Sequence, residues 1–197
     1  MTTKAKSKAN AQEETFWGAP RRERRPFLRL RPEVPRKLPP SAQDGVVLLA
    51  ELLMDEVGSL VRSLVDYTVA SQNEERRRAG RRQGVTLSVL NRRRRAARSW
   101  IITILRGQVD QLTLHSVAHG WLPRLCGTGP NLRSASEPAR RYVEFLRGLM
   151  TANVMRRVAE NLVPEAKALH ALETILGIHL GALEQAIDAE AKQDLDI

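Results

Sequence analysis

Residues 165–191 read EAKALHALETILGIHLGALEQAIDAEA. Large apolar residues recur here every three or four positions, which is the spacing of one face of an α-helix. They are Leu169, Leu172, Leu176, Leu180, Leu183 and Ile187. This pattern predicts a helix over 165–191. Because no strand-like alternation of apolar and polar residues competes anywhere after residue 41, the chain is predicted to be all-α.

The same helical spacing fills the rest of the chain, with glycine and proline between the segments. The predicted helices span 43–78, 88–105, 108–118, 137–161 and 165–191. We expect Ser41 to cap the first helix and Gly80 to end it, and Thr86 or Ser88 to cap the second. Glycines and prolines over 120–134 indicate a long loop. The expected fold is a bundle of four to five helices in one domain, 41–197.

An N-terminal arm precedes the bundle, because six of the ten prolines fall within the first forty residues. Proline lacks an amide donor and biases the preceding residue away from helix, so we predict that residues 1–40 form a disordered basic arm. Aromatic residues alternate with guanidinium groups there, a composition that suits nucleic acid. The candidate contacts are Arg21, Arg22, Arg24 and Arg25. A peptide motif for a protein groove, a nuclear-import cluster and a solvated tail remain alternatives.

Positive charge is concentrated in one segment. The 197 residues include 32 Lys plus Arg against 22 Asp plus Glu, a formal net charge of +10. Residues 76–98 hold ten arginines and no acid, so this segment alone equals the net charge of the chain. We name its arginines the arginine ridge: Arg76, Arg77, Arg78, Arg81, Arg82, Arg92, Arg93, Arg94, Arg95 and Arg98. Such a block requires solvent or a polyanion around it.

The run of four arginines at 92–95 cannot lie wholly on one face of a helix. At about 100° per residue it covers most of the circumference, so at least one of Arg93 and Arg94 must point toward the apolar stripe of Leu90 and Ala97. Either the first turns of this helix project beyond the core, or the guanidinium stems run along its edge.

Residues 44–98 resemble part of a histone fold. A long helix that ends in basic residues, a loop with Val85-Thr86-Leu87 and an arginine-rich helix are similar to its second helix, second loop and third helix. The basic arm adds to the similarity. Prolines occupy the place of the first histone helix, and about a hundred residues after this segment have no counterpart.

No motif for catalysis, metal or cofactor binding stands out. His115 and His119 have the i, i+4 spacing of a metal pair but lack the glutamate of a zinc-protease motif and a third ligand. His179 lies on the apolar stripe of the last helix, with His170 on its flank, where a haem ligand or a hydrogen-bonded core histidine would fit. Cys126 is the only cysteine. We expect no metal, no cofactor and no enzymatic activity.

The leading hypothesis is therefore a non-enzymatic protein that binds RNA or DNA through the ridge and the arm, for packaging, as in nucleocapsids, or for regulation. The alternative is a helical adaptor that binds acidic proteins through the same residues. Self-association is expected through the last helix, whose flanks are acidic: Glu184, Asp188, Glu190, Asp194 and Asp196. With no apolar run long enough for a bilayer and no secretory signal, we expect no membrane association and a cytoplasmic, nuclear or nucleoid location.

Overall fold

The computed structural model describes residues 37–80, 85–127, 132–161 and 165–193. These ranges contain helices and no strand, so the all-α prediction is confirmed. The helices are α1 (Pro40–Leu53), α2 (Val57–Arg78), α3 (Leu87–Leu105), α4 (Gln111–Ser116), α5 (Leu122–Cys126), α6 (Ser136–Asn161) and α7 (Glu165–Gln193). The predicted arm lies almost entirely outside the described residues. No helix in the described ranges is long and apolar enough to cross a bilayer.

The last helix, α7, packs mainly against α1 and α6. Its predicted apolar stripe forms part of the core, and Leu172, Leu176 and Leu183 are buried. The approach of α1 is close, because a Cβ atom on Gly45 would lie 2.0 Å from the carbonyl oxygen of Lys167. The prediction of a helix over 165–191 is confirmed, and its apolar face is covered within the chain.

The predicted helix over 43–78 is wrong in one respect, because it is two helices. A 3₁₀ turn, Met54–Glu56, separates α1 from α2. The apolar spacing continues across the turn, but the packing partner changes from α7 on α1 to α3 on α2. The Glu56 carboxylate fixes this corner by accepting hydrogen bonds from Arg156 (3.1 Å) and Arg157 (2.9 Å). The uninterrupted helix of the histone resemblance is therefore not formed.

Of the two helix caps expected from the sequence, the structure confirms one. The side chain of Thr86 caps α3 by accepting from the backbone N–H of Val89 at 3.4 Å, as expected. The expected cap at Ser41 is wrong: α1 begins at Pro40, whose missing N–H is harmless in the first turn. The hydroxyl of Ser41 lies instead 3.3 Å from Nε2 of His170 on α7.

The region predicted as a third helix and a loop is helical for longer than expected. Gly107, with a φ of 61°, ends the previous helix, and α4 starts at Gln111 rather than at 108. A π-helical turn, Val117–Trp121, then leads into α5, which has Pro123 in its first turn. The predicted loop over 120–134 is therefore wrong up to Cys126, because its glycine and proline occupy helical positions. Residues 128–131 lie outside the described ranges.

Candidate nucleic-acid interface

Both described ends of the arginine ridge lie where α2 and α3 leave the core. These two helices pack against each other. Gln72 is the last buried residue of α2 and Arg93 the first buried residue of α3. None of the described residues between them is buried, and we name this part, residues 73–80 and 85–92, the hairpin tip. The first turns of α3 are exposed on their outward side, but Leu90 packs against the core and Arg93 is buried, so these turns do not project wholly beyond the core.

Arg93 is the ridge residue that points inward, with only 1% of its surface exposed. Its Nη2 donates a hydrogen bond to Oε1 of Gln72, and Nε2 of Gln72 donates to the carbonyl oxygen of Cys126. Its Nε and Nη1 have no hydrogen-bond partner among the described residues. Burial lowers the pKa of the guanidinium. The side chain is thus part of the junction of α2, α3 and α5, and it is removed from the candidate contact surface.

Gln72, the hydrogen-bond partner of Arg93, is not among the residues that the sequence pattern singles out. It follows the buried Thr68 by four positions, and so lies on the core face of α2. A polar residue at such a position signals a buried partner, but the spacing within α2 does not reveal that the partner is Arg93.

The other described ridge arginines face outward. Arg92, Arg94, Arg95 and Arg98 on α3 are exposed, as are Arg77 and Arg78 on α2, while Arg76 is half-buried. Arg78 pairs with Glu74 of its own helix at 3.1 Å. The four exposed arginines of α3 form no ion pair with any carboxylate in the described ranges, and α3 itself contains no acid. The result is a positive surface that no carboxylate of the described residues neutralises.

The arginines of α6 provide the contrast, because they are paired. Their partners lie on α6, on α7, at the corner between α1 and α2, and near the end of α2, where Glu75 lies 3.6 Å from Arg141. The pairs are Arg140 with Glu184 (2.7 Å), Arg141 with Glu137 (3.1 Å), Arg147 with Glu144, and Arg156 with Glu56 (3.1 Å). An abundance of arginine is therefore common to both surfaces, but within the described residues the exposed α3 arginines are unpaired whereas those of α6 are paired.

Six of the predicted contact residues cannot be placed. Arg81 and Arg82 of the ridge, and Arg21, Arg22, Arg24 and Arg25 of the arm, lie outside the described residues.

His179 is a hydrogen-bonded core residue. Its Nδ1 accepts a hydrogen bond from the indole N–H of Trp100 at 3.2 Å, and its Nε2 donates to the carbonyl oxygen of Gln108 at 3.1 Å. Burial lowers its pKa to about 4. Because both ring nitrogens are engaged, neither is available to a haem iron.

The other candidate side chains lack the surroundings that their chemistry needs. The rings of His115 and His119 are 4.5 Å apart between centroids, but no group of three or more metal-ligating residues occurs within the described ranges. The thiol of Cys126 is buried and contacts the carbonyl oxygen of Ala135 at 3.6 Å. Burial raises its pKa to about 12, so it is protonated and not nucleophilic near neutral pH.

The predicted association surface on α7 is occupied. Its apolar stripe packs within the chain, so the observation on which self-association was expected no longer supports it. On its acidic flank, Glu184 pairs with Arg140, and Glu190 accepts the backbone N–H of Leu132 at 3.1 Å.

Compared with known proteins, the chain matches no family model, no curated protein and no solved structure. Its function must therefore be argued from the surface described above.

Proposed function

We propose that the chain is a non-enzymatic nucleic-acid-binding protein whose contact surface is the exposed part of the arginine ridge. The observation that carries this proposal is the difference between α3 and α6. Both helices are rich in arginine, yet the exposed α3 arginines have no described carboxylate partner, whereas those of α6 pair with glutamates. Guanidinium groups bind phosphates through bidentate hydrogen bonds, and a row of phosphates supplies the missing negative charge.

Electrostatic attraction to phosphates predicts a strong dependence on salt. Each neutralised phosphate releases counterions, so affinity falls steeply as salt increases. Without a ligand, solvent and salt screen the repulsion between the exposed guanidinium groups.

The test is a titration of the full chain with short labelled nucleic acids at several salt concentrations. One variant replaces the four exposed α3 arginines by glutamine: Arg92, Arg94, Arg95 and Arg98. A charge-matched control replaces four paired α6 arginines by glutamine: Arg140, Arg141, Arg147 and Arg156. We expect salt-dependent binding by the wild type and the α6 variant, and a loss of at least about tenfold in affinity in the α3 variant.

An equal loss of affinity in both variants would mean that binding depends only on net charge, and this result would overturn the role of the α3 surface. Absence of salt-dependent binding would overturn nucleic-acid binding altogether. Tight binding of polyglutamate without binding of nucleic acid would replace the proposal by the acidic-protein alternative. Thermal unfolding of both variants verifies that they fold.

A further inference from the structure

The hairpin tip offers a length of exposed helix that is matched to the geometry of one kind of nucleic acid. From Leu87 to Arg93, α3 extends over six residues before its first buried side chain. At about 1.5 Å per residue this is about 9 Å of helix. The major groove of B-form DNA is about 8.5 Å deep and about 12 Å wide, and an α-helix with its side chains is about 10–12 Å across. A helix of this diameter fits the width of the groove when it lies along it, so the outward side of α3 has the dimensions to enter the groove side-on.

The order of side chains around α3 fits the same geometry. The core side is marked by Arg93, Ala97 and Trp100, which are buried. At about 100° per residue, Arg92 and Arg94 are about 200° apart and so lie on opposite flanks of the helix. A helix in the groove would thus direct one guanidinium toward each of the two phosphate strands.

Between these flanks, the outward centre of α3 carries small polar side chains and one arginine. Ser88, Asn91 and Arg95 are exposed and share this direction. Asn can bind the N6 and N7 edge of adenine, Arg can bind the O6 and N7 edge of guanine, and Ser can contact either. These residue types are the ones that read base edges, and they are placed toward the floor of a groove.

We propose that the outward side of the first half of α3, from Leu87 to Arg95, lies in the major groove of B-form duplex DNA, with Arg92 and Arg94 on the two backbones and Asn91 and Arg95 at the bases. This inference rests on the proposed function and names its substrate class. The major groove of A-form RNA is too deep and narrow for such insertion, and a single strand offers no second backbone for the opposite flank.

The experiment compares the full chain on three ligands of one sequence: duplex DNA, duplex RNA and single-stranded DNA. At moderate salt we expect duplex DNA to bind at least about tenfold more tightly than the other two, the difference of one good groove contact. On duplex DNA, Arg92→Gln and Arg94→Gln should each weaken binding, while the paired Arg147→Gln should not. Guanine N7, which faces the major groove, should be protected from methylation by dimethyl sulfate.

Two further variants separate base contacts from phosphate contacts. Asn91→Ala is expected to reduce affinity for the best of a set of duplex sequences by about tenfold and to flatten the differences among sequences. Asn73→Ala, an exposed asparagine on the α2 side of the hairpin tip, is the matched control and should change neither.

The outcomes distinguish the two proposals. Salt-dependent binding of all three ligands with equal affinity, or methylation of guanine N7 without protection, would overturn groove insertion and leave nucleic-acid binding in place. If none of the three ligands shows salt-dependent binding, both groove insertion and nucleic-acid binding are overturned.

Discussion

The indole N–H of Trp100 reaches Nδ1 of His179 across 3.2 Å, and this hydrogen bond joins α3 to α7 inside the core. The second ring nitrogen of His179 donates to Gln108 at 3.1 Å, which fixes the neutral tautomer. The helix that carries the exposed arginines is thereby anchored to α7.

This arrangement predicts a loss of stability in mild acid. Burial lowers the pKa of His179 from 6.5 to about 4. Between these values the unfolded chain binds a proton that the folded chain does not, so the free energy of unfolding falls as pH decreases from about 6.5 to about 4. The full effect is on the order of 3 kcal/mol. Urea unfolding at about pH 7 and about pH 5 should show about 2 kcal/mol of it.

Two histidine variants test the origin of this pH dependence. His179→Gln should remove most of it, whereas His170→Gln, at an exposed position of the same helix, should retain it. The same dependence in the His179→Gln protein would show that other groups are responsible.

A second prediction concerns Gln72 and Arg93. Gln72→Ala leaves the buried guanidinium of Arg93 without its described partner, which should reduce the free energy of unfolding by about 3 kcal/mol. Arg93→Met removes a buried charge that has two guanidinium nitrogens without a hydrogen-bond partner among the described residues, and methionine fills a similar volume, so it should cost less than about 1 kcal/mol.

The double variant completes this test. If the penalty in Gln72→Ala comes from the unpaired charge, adding Arg93→Met should restore part of the lost stability in chemical denaturation. Additive losses in the double variant would contradict this explanation.

Two glycines in neighbouring helices should respond to alanine with opposite signs. At Gly45 the added Cβ would meet backbone atoms of Lys167, which cannot move aside, so Gly45→Ala should destabilise by at least about 2 kcal/mol. At Gly58 in α2 nothing lies within 4 Å of the added atom. Gly58→Ala should therefore stabilise the protein by about 0.5–1 kcal/mol through helix propensity. Thermal unfolding measures both, and a stable Gly45→Ala protein would refute the close approach of α1 to α7.

The exposed arginines should each contribute to the salt dependence of DNA binding. Removing one phosphate contact lowers the slope of log affinity against log salt by about 0.9 for duplex DNA. Arg94→Gln, which removes a proposed phosphate contact, should show this change, and the matched Arg140→Gln, whose charge pairs with Glu184, should leave the slope as in the wild type. Fluorescence anisotropy over a salt series provides the measurement, and identical slopes in both variants would contradict a local contact.

Much of the fold could be predicted because local signals and packing agree. The cap at Thr86 and the long apolar stripe of α7 are local patterns, and the helices begin and extend as these patterns indicate. The break at Met54–Glu56 was not predicted at this position, because the apolar spacing runs through it while the packing partner changes from α7 to α3 across it. The helical turns after Gly120 were hidden for a similar reason, since Pro123 occupies a first helical turn, where proline is tolerated.

The sequence predicts the concentration of positive charge at the candidate site, but it does not predict which of the arginines form the exposed, unpaired surface. Helical geometry requires one of Arg93 and Arg94 to face the core, and the structure shows that it is Arg93. Which arginines are neutralised depends on contacts between distant segments, such as Arg140 with Glu184 and Arg156 with Glu56. Sequence spacing does not contain that information.

The exposure of the hairpin tip determines where the amino-acid sequence of this protein can vary during evolution. Because no described residue between Gln72 and Arg93 is buried, substitutions at the exposed positions there, apart from the cap residue Thr86, should be nearly neutral for folding. Selection on binding can then act on the tip while the bundle stays constant. The same property makes the tip a natural place to graft a different recognition sequence, with the Gln72–Arg93 pair as its boundary.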